Sequence, residues 1–346
     1  MRAAVIESFE APLTVQEVPD PIPADHSVVI RVRANSICRS DWHAWVGHFD
    51  DIELPHVPGH EMAGEVEAVG SRVRRWKRGD RITTPFVGGC GACGECVSGN
   101  HQVCENAEYL GFTQWGSFAE LCEVPNADVN AVALPEEIDF VSGASLGCRF
   151  VTAQRAIVDQ GEVRPGEWVA IHGCGGVGLS AIMIASAAGA RVIGVDINSD
   201  ALDLAVSVGA EITLNARDLE DVPGAILDLT CGGADMSVDA LGRAATFGNS
   251  ISCLRTRGRH IQIGILAGGE ANPPLSMDDV LYKELRVIGS YGMQAHRYPL
   301  LLQQILSGKL QPQKLITKRV GLEEASDVLQ AMGQYSHSGI IVIDRF

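Results

Sequence analysis

The 346-residue chain has no run of about 18 apolar residues, so no membrane-spanning helix is expected. Its opening residues, Met1-Arg-Ala-Ala-Val-Ile6, meet Glu7 before the apolar stretch of a secretory signal can form, and the expected location is the cytoplasm. Positive charge is scarce: 27 Lys and Arg stand against 43 Asp and Glu, a formal net charge of −16. That balance repels nucleic-acid phosphates and argues against a nucleic-acid partner. Neither an internal repeat nor a low-complexity segment occurs. With nucleic acid and membrane set aside, a small molecule is the expected partner.

Hydrophobic residues make up 46 % and charged residues 20 % of the chain, as in ordinary globular proteins, and its length favours two domains. Cysteine is what the chain has in local excess. Cys90-Gly-Ala-Cys93-Gly-Glu-Cys96 is followed, after seven intervening residues, by Cys104. Four thiolates can close a tetrahedral shell around one Zn²⁺. Gly88, Gly89, Gly91 and Gly94 would let the backbone wrap it closely. The alternative is a pair of disulfides, but adjacent CxxC thiols rarely form structural staples and the chain reads as cytosolic. The lobe 88–104 is therefore expected to hold a structural zinc. A closed shell does no chemistry, so any reaction needs a second, open site. Cys122, Cys174, Cys231 and Cys253 lie in apolar stretches and are expected to be packed thiols.

Residues 1 to about 150 are rich in short β-like runs, such as 27–33, 63–69 and 81–84, broken by Pro and Gly. Beyond them the pattern changes. Glu167-Trp-Val-Ala-Ile-His172 reads as a buried strand, 179–188 as an apolar helix ended by Gly189, and 191–196 as the next strand. The alternation continues through helix 200–208, strand 236–239, helix 244–254, strand 259–264 and strand 287–288. It predicts a parallel, doubly wound sheet. Helix 298–306 and strand 339–343 fit neither half and are expected to return to the first domain. The expected domains are thus 1–150 with 292–346, and 151–291.

Between the first strand and helix of the second domain lies Gly173-Cys-Gly175-Gly176-Val177-Gly178, a GxGxxG in the strand-to-helix context that dinucleotide binding requires. The first glycine makes the turn, the second admits the pyrophosphate, and the third lets the helix lie close to the sheet. The helix N-terminus offers free amides to the phosphates. Eighteen residues past Gly178, Asp196 ends the next strand, where a carboxylate binds ribose hydroxyls and repels a 2′-phosphate; NAD is expected over NADP. Glycines serving only a tight turn are the alternative.

Cys38, His60 and Cys148 are candidates for the open site, although each alone reads as a core residue. They sit in Cys38-Arg39-Ser40-Asp41-Trp42-His43, in Gly59-His60-Glu61-Met-Ala-Gly64 running on to Gly70-Ser-Arg-Val73, and in Gly147-Cys148-Arg-Phe-Val-Thr152. In this order, with the four-cysteine lobe between them, the motifs resemble the zinc-containing medium-chain alcohol dehydrogenases along the whole chain. The resemblance implies a GroES-like catalytic domain plus a Rossmann cofactor domain, with the active site in the cleft between them. It implies that Cys38, His60 and Cys148 bind a catalytic zinc with one position open. Asp41 then orients the ligating imidazole, and Glu61 lies behind the metal. Ser40 and His43 form a proton relay. Arg39 touches the pyrophosphate, Thr152 packs on the nicotinamide, and Gly264 and Ile265 join the glycine loop in binding NAD.

The implied reaction is reversible NAD-dependent oxidation of an alcohol to an aldehyde or ketone, with zinc as Lewis acid and hydride transfer to nicotinamide. The chain departs from many relatives at Ser338-Gly339-Ile340-Ile341, where they carry Arg or Lys after the glycine as a phosphate contact. The short stretch from Cys104 to Trp115 resembles tetrameric microbial members, so a homotetramer is expected over a dimer. Trp45, His48, Phe49, Phe86, Trp115, Leu266 and Tyr291 are candidate pocket residues, suiting medium aliphatic or aryl alcohols over sugars. Alternatives are a polyol or amino-alcohol dehydrogenase of the same superfamily, a glutathione-linked formaldehyde dehydrogenase, or a catalytically silent NAD- and zinc-binding protein. Polyol relatives commonly carry a carboxylate where Cys148 stands.

Overall fold

The computed structural model describes residues 1–334 and 337–346. They form two compact units: Met1–Val151 with Gly292–Gly308 and Pro312–Phe346, and Thr152–Tyr291 with Lys309–Gln311. The sequence pattern assigns 309–311 to the first part. They group with the second, where the Gln311 amide donates to Met183 Sδ at 3.3 Å. No helix of the described residues is long and apolar enough to cross a membrane.

The second unit is a six-stranded parallel sheet in the order Ile212–Asn215, Arg191–Asp196, Trp168–His172, Ala234–Asp239, Leu254–Gln262, Arg286–Gly289. Numbered within the unit this is 3-2-1-4-5-6, the doubly wound order with its reversal beside the first strand. Helix Gly176–Ala187 is buried along nearly its whole length from Gly178 to Ala185, which is why its sequence is apolar on all sides rather than amphipathic. It stops at Gly189, whose φ of +86° a side chain would strain.

Three features differ from the sequence expectation. Helix Ala244–Ser252 ends two residues earlier, and the strand expected at 259 begins at Leu254, with an irregular register where Arg257 takes a φ of +61°. Strand Ile212–Asn215 and helix Val222–Leu229 lie outside the expected elements. The strand is four residues long and half-buried throughout, so it carries no alternation to read. Cys231 is exposed rather than packed, because it sits in a left-handed turn just past that helix, while Cys122, Cys174 and Cys253 are buried.

The first unit is built on a seven-stranded sheet. Val28–Ile37 is its long central strand, paired antiparallel with Met62–Val69, Leu121–Val124 and the terminal strand Ile340–Arg345. Ile316–Gly321 continues the sheet parallel to the terminal strand, while Arg81–Thr83 and Val132–Ala133 extend the other side. Strand Ile316–Gly321 and helix Ala325–Met332, also outside the expected elements, precede the return of the chain. Ala325, Val328 and Leu329 of that helix join Ile37, Ile341 and Ile343 in one core cluster, so the chain's end is packed into the same core as its beginning.

His172, at the end of the second unit's first strand, is fully buried, with Nε2 3.7 Å from Cys253 Sγ. Burial holds its imidazole down at about 4. Because the folded state takes up the proton less readily than the unfolded one, this residue subtracts stability as pH falls from about 6.5 to about 4. The expected loss at pH 5 is about 2 kcal/mol. Calorimetric unfolding from pH 7.5 to 5 should show it, and His172→Gln should flatten the profile.

Candidate metal centre and cofactor loop

The pairing of Val28–Ile37 with Met62–Val69 sets Asn35 opposite Met62. Carried two residues further, that register puts the end of one strand beside the approach to the other, so Cys38 and His60, 22 residues apart in sequence, become neighbours. Cys148 arrives from a third element. The helix Phe140–Ala144 runs into a widened turn, Leu146–Phe150, and such π-type turns redirect side chains at functional sites. Gly147 permits the approach, since a Cβ there would press against Glu61 Cα at 3.0 Å and Thr84 O at 3.1 Å. The Phe86 amide donates to Gly147 O at 3.1 Å and anchors the turn. One donor atom from each of Cys38, His60 and Cys148 lies within 4.8 Å of the other two.

Asp41 orders this triad. Its carboxylate accepts from Cys38 N at 2.8 Å, Gly59 N at 3.1 Å and His60 Nδ1 at 2.8 Å, all buried. With Nδ1 committed to Asp41, His60 turns Nε2 toward the sulfurs, and that is the atom left for a metal once its proton is displaced. Nε2 is buried and has no hydrogen-bond partner. An orphaned ring nitrogen facing two thiols fits a metal ion and little else.

The thiols of the lobe 88–104 also converge, again within 4.8 Å, and all four are free of disulfides. Backbone amides point at the sulfurs: Ala92 N and Cys93 N at Cys90 Sγ (3.4 and 3.3 Å), Cys96 N at Cys93 Sγ (3.5 Å), and Asn106 N at Cys104 Sγ (3.3 Å). Those at Cys90 hold its thiol down at about 6, favouring the metal-binding thiolate. Of the glycines expected to shape the lobe, Gly91 has φ +72°, a Cβ on Gly88 would meet Glu108 O at 2.9 Å, and one on Gly89 would press on His101 Cβ at 3.0 Å. Gly94 faces open space and is not sterically required. Asn130 roots the lobe, bonding both N (2.9 Å) and O (3.0 Å) of Gly89.

In the second unit Gly173 turns the chain with φ +93°, and Gly178 lies so close that a Cβ would meet Gly173 O at 1.8 Å. A Cβ on Gly175 would meet nothing within 4 Å, which leaves room above the N-terminus of helix Gly176–Ala187. That first turn carries no acidic side chain to repel an anion. Asp196 accepts from Cys174 N at 2.6 Å and from Ile197 N and Asn198 N at 2.7 and 2.9 Å, so it braces the glycine loop from the neighbouring strand. The arrangement fits a dinucleotide.

Residues 24–136 match the family described as alcohol dehydrogenase GroES-like domain, and residues 176–307 the one described as zinc-binding dehydrogenase. Over 345 residues the chain is 32 % identical to a curated alcohol dehydrogenase of Geobacillus stearothermophilus, with 99 % of each covered. The chain belongs to the zinc-containing medium-chain alcohol dehydrogenase family. A solved NAD-dependent alcohol dehydrogenase superposes with a TM-score of 0.91 at 31 % identity, and the alcohol dehydrogenase of Thermus sp. ATN1 with 0.90 at 31 %, both over 100 % of each chain. As a member, the chain is an oxidoreductase that carries zinc, with a GroES-like first unit and a Rossmann second unit.

Other residues singled out in the sequence divide between the triad's surroundings and the core of this dehydrogenase. Ser40 is half-buried in helix Arg39–Trp45, one turn from His43. His43 Nδ1 lies 2.8 Å from His48 Nδ1, and its ring centroid 6.2 Å from that of Phe49. Burial, with Arg39 and His48 adding repulsion, keeps His43 down at about 4 and therefore neutral. Arg39 stacks 3.8 Å over Trp42 and donates to Met332 O. Phe86 packs edge-on to His60 at 6.0 Å. Trp45 is not a pocket residue: it is buried in the core and its indole donates to Ala11 O at 2.6 Å. Trp115 is 39 % exposed. Val177 is half-buried in the first turn of its helix. Thr152 is buried with an unpartnered Oγ1, while Gly264 packs against Gly242 and leaves Ile265 41 % exposed; these residues, with Leu266 and Tyr291, belong to the second unit.

Sequence reasoning misses two neighbours of the triad. Phe112 packs on His60 at 5.0 Å and edge-on to Phe49 at 5.4 Å, and nothing in its sequence neighbourhood signals that. Arg149 is buried against Glu61, with Nη2–Oε2 at 2.5 Å, and here a signal exists: it is the single charged residue in the mostly apolar stretch 144–154.

Without metal, burial would lower His60, but Asp41 and Cys38 outweigh it and hold the imidazole well above its ordinary value. A hydrogen bond with Cys38, then burial, keeps Cys148 well above the usual thiol range, and that same bond holds Cys38 well below it. Zinc must therefore displace protons from His60 and Cys148. Apparent zinc affinity of the metal-free protein should fall as pH drops from 8 to 6, by roughly tenfold per pH unit for each proton displaced. Competition with a chelator of known affinity measures it.

Proposed function

We propose that this protein catalyses the reversible NAD-dependent oxidation of an alcohol to an aldehyde or ketone. The observation that carries the reading is the buried, partnerless Nε2 of His60, aimed at two thiols and set by Asp41. In this reading Cys38, His60 and Cys148 hold a catalytic zinc, and Cys90, Cys93, Cys96 and Cys104 hold a structural one. Bound zinc supplies Lewis acidity toward the substrate oxygen, and bound NAD supplies the hydride acceptor. Two thiolates and a neutral imidazole just balance the divalent ion, leaving one position open. Zinc loading serves as the first check on this assignment. Cys148→Ala should lower it from two ions to one per chain and abolish NADH formation; two retained ions and parental rates would overturn the assignment.

The chain's own residues supply the proton path. In this reading Ser40 accepts the hydroxyl proton of the alcohol at Oγ as it gives up its own toward His43, which passes a proton on to solvent. The ring is neutral at pH 7 and so has a free lone pair, but its depression to about 4 makes it a weak base that can only pass the proton on, not store it. Asp196 favours NAD over NADP by repelling a 2′-phosphate, and Gly173, Gly175 and Gly178 shape the loop for the pyrophosphate. The short stretch from Cys104 to Trp115 supports a homo-oligomer, a tetramer over a dimer.

Phe49, Phe86 and Phe112 gather aromatic surface beside His60, which favours medium aliphatic or aryl alcohols. A panel of primary, secondary, aryl and polyol substrates, assayed for NADH, should rank aryl and aliphatic alcohols first. Phe112→Ala should raise KM for aryl alcohols by roughly tenfold, the order expected for one lost apolar contact of 1–3 kcal/mol. Activity confined to polyols would favour the polyol-dehydrogenase reading instead.

A further inference from the structure

The two segments that deliver His60 and Cys148 each deliver one more residue into the protein interior. Glu61 follows His60 and is 0 % exposed; Arg149 follows Cys148 and is 5 % exposed. Among the described residues, every hydrogen bond onto the Glu61 carboxylate comes from Arg149. Oε1 accepts from the Arg149 backbone amide at 2.7 Å and from Nε at 3.2 Å, and Oε2 accepts from Nε at 3.1 Å and Nη2 at 2.5 Å. One residue thus grips the carboxylate with both its main chain and its guanidinium, across 88 positions of sequence.

Charge explains why the grip matters. The three donors and a divalent ion sum to neutrality, and Asp41 is compensated by the dipoles of three N–H groups. Glu61 would then be an extra buried negative charge beside two thiolates, were it not cancelled by Arg149. A buried ion pair of this kind contributes little net stability against an apolar pair, but removing one member strands the other, which is relieved by a proton or by movement of its backbone. Here the backbone that would move is the pair of segments carrying His60 and Cys148. We propose that Arg149 is a positioning residue for the metal centre: its bond to Glu61 latches these two segments and so sets the spacing of their donors.

This inference rests on the reading of Cys38, His60 and Cys148 as zinc ligands, and a double-mutant cycle separates the two. Arg149→Met, Glu61→Gln and the double variant are compared with the parent by the rate of zinc release to a chelator and by the visible spectrum of the cobalt-substituted protein, which reports donor geometry. Arg149→Met should release one zinc at least tenfold faster and shift the cobalt bands. The double variant should recover most of both, because neither charge is then stranded. Parental release and spectrum in Arg149→Met, or a double variant no better than the single, overturns the latch. Retention of two zinc ions by Cys148→Ala overturns the ligand reading instead. Should Arg149→Met fail to fold, Arg149→Lys keeps the charge but loses the fork. It should release zinc several-fold faster than the parent, and a parental rate would overturn the latch.

Discussion

The carboxylate of Asp41 holds three parts of the first unit at one point: the amide of Cys38, where a strand passes into a helix, the amide of Gly59 before the adjoining strand, and the imidazole N–H of His60. All three donors are buried, so each would be costly to leave unpaired, and one carboxylate side chain satisfies them together. The helix cap, the loop before the second strand and the tautomer of the histidine are therefore one constraint. Everything the triad can do follows from it, since a ring nitrogen facing the sulfurs exists only because the other nitrogen is taken.

A second buried carboxylate, Glu61, lies next to this arrangement, and the molecule handles it in the opposite way. Asp41 is met by two backbone amides and an imidazole N–H, Glu61 by a full guanidinium charge. Both solutions avoid an isolated ion in a medium of low dielectric, and both tie distant stretches of chain to the site. The cysteine lobe solves a related problem at the surface. There backbone amides meet the sulfurs of Cys90, Cys93 and Cys104, and Asn130 pins the root of the loop at Gly89. Two clusters of similar chemistry thus differ in purpose through what surrounds them: four sulfurs close a shell, whereas two sulfurs and a nitrogen leave a side open.

Much of this is legible in the amino-acid sequence alone. The CxxC spacing, the glycine loop in its strand-to-helix setting and the approximate strands of the second unit can be read there, because each depends on contacts within about 30 residues. The misreadings have a common origin. Trp45 looks like a pocket residue because its neighbours Ser40 and His43 are candidate site residues, yet its own rotation along the helix points it into the core. Cys231 looks packed because its stretch is apolar, yet it falls in a left-handed turn beyond a helix end. Strand Ile212–Asn215 is too short and too evenly half-buried to leave a periodic trace.

The sequence by itself determined the inventory: which residues can bind metal, which loop can cradle a pyrophosphate, and to which family their order belongs. Those properties reside in residue type and local spacing, and folding does not alter them. Only the tertiary structure decided which of them meet. That Cys148 comes to lie beside Cys38 depends on a widened turn and on the absence of a side chain at Gly147. That Arg149 answers Glu61, and that Phe112 covers His60, depends on strand register and packing between segments far apart in the chain. Pairings of this kind are set by the energy of the whole core, which no local pattern records.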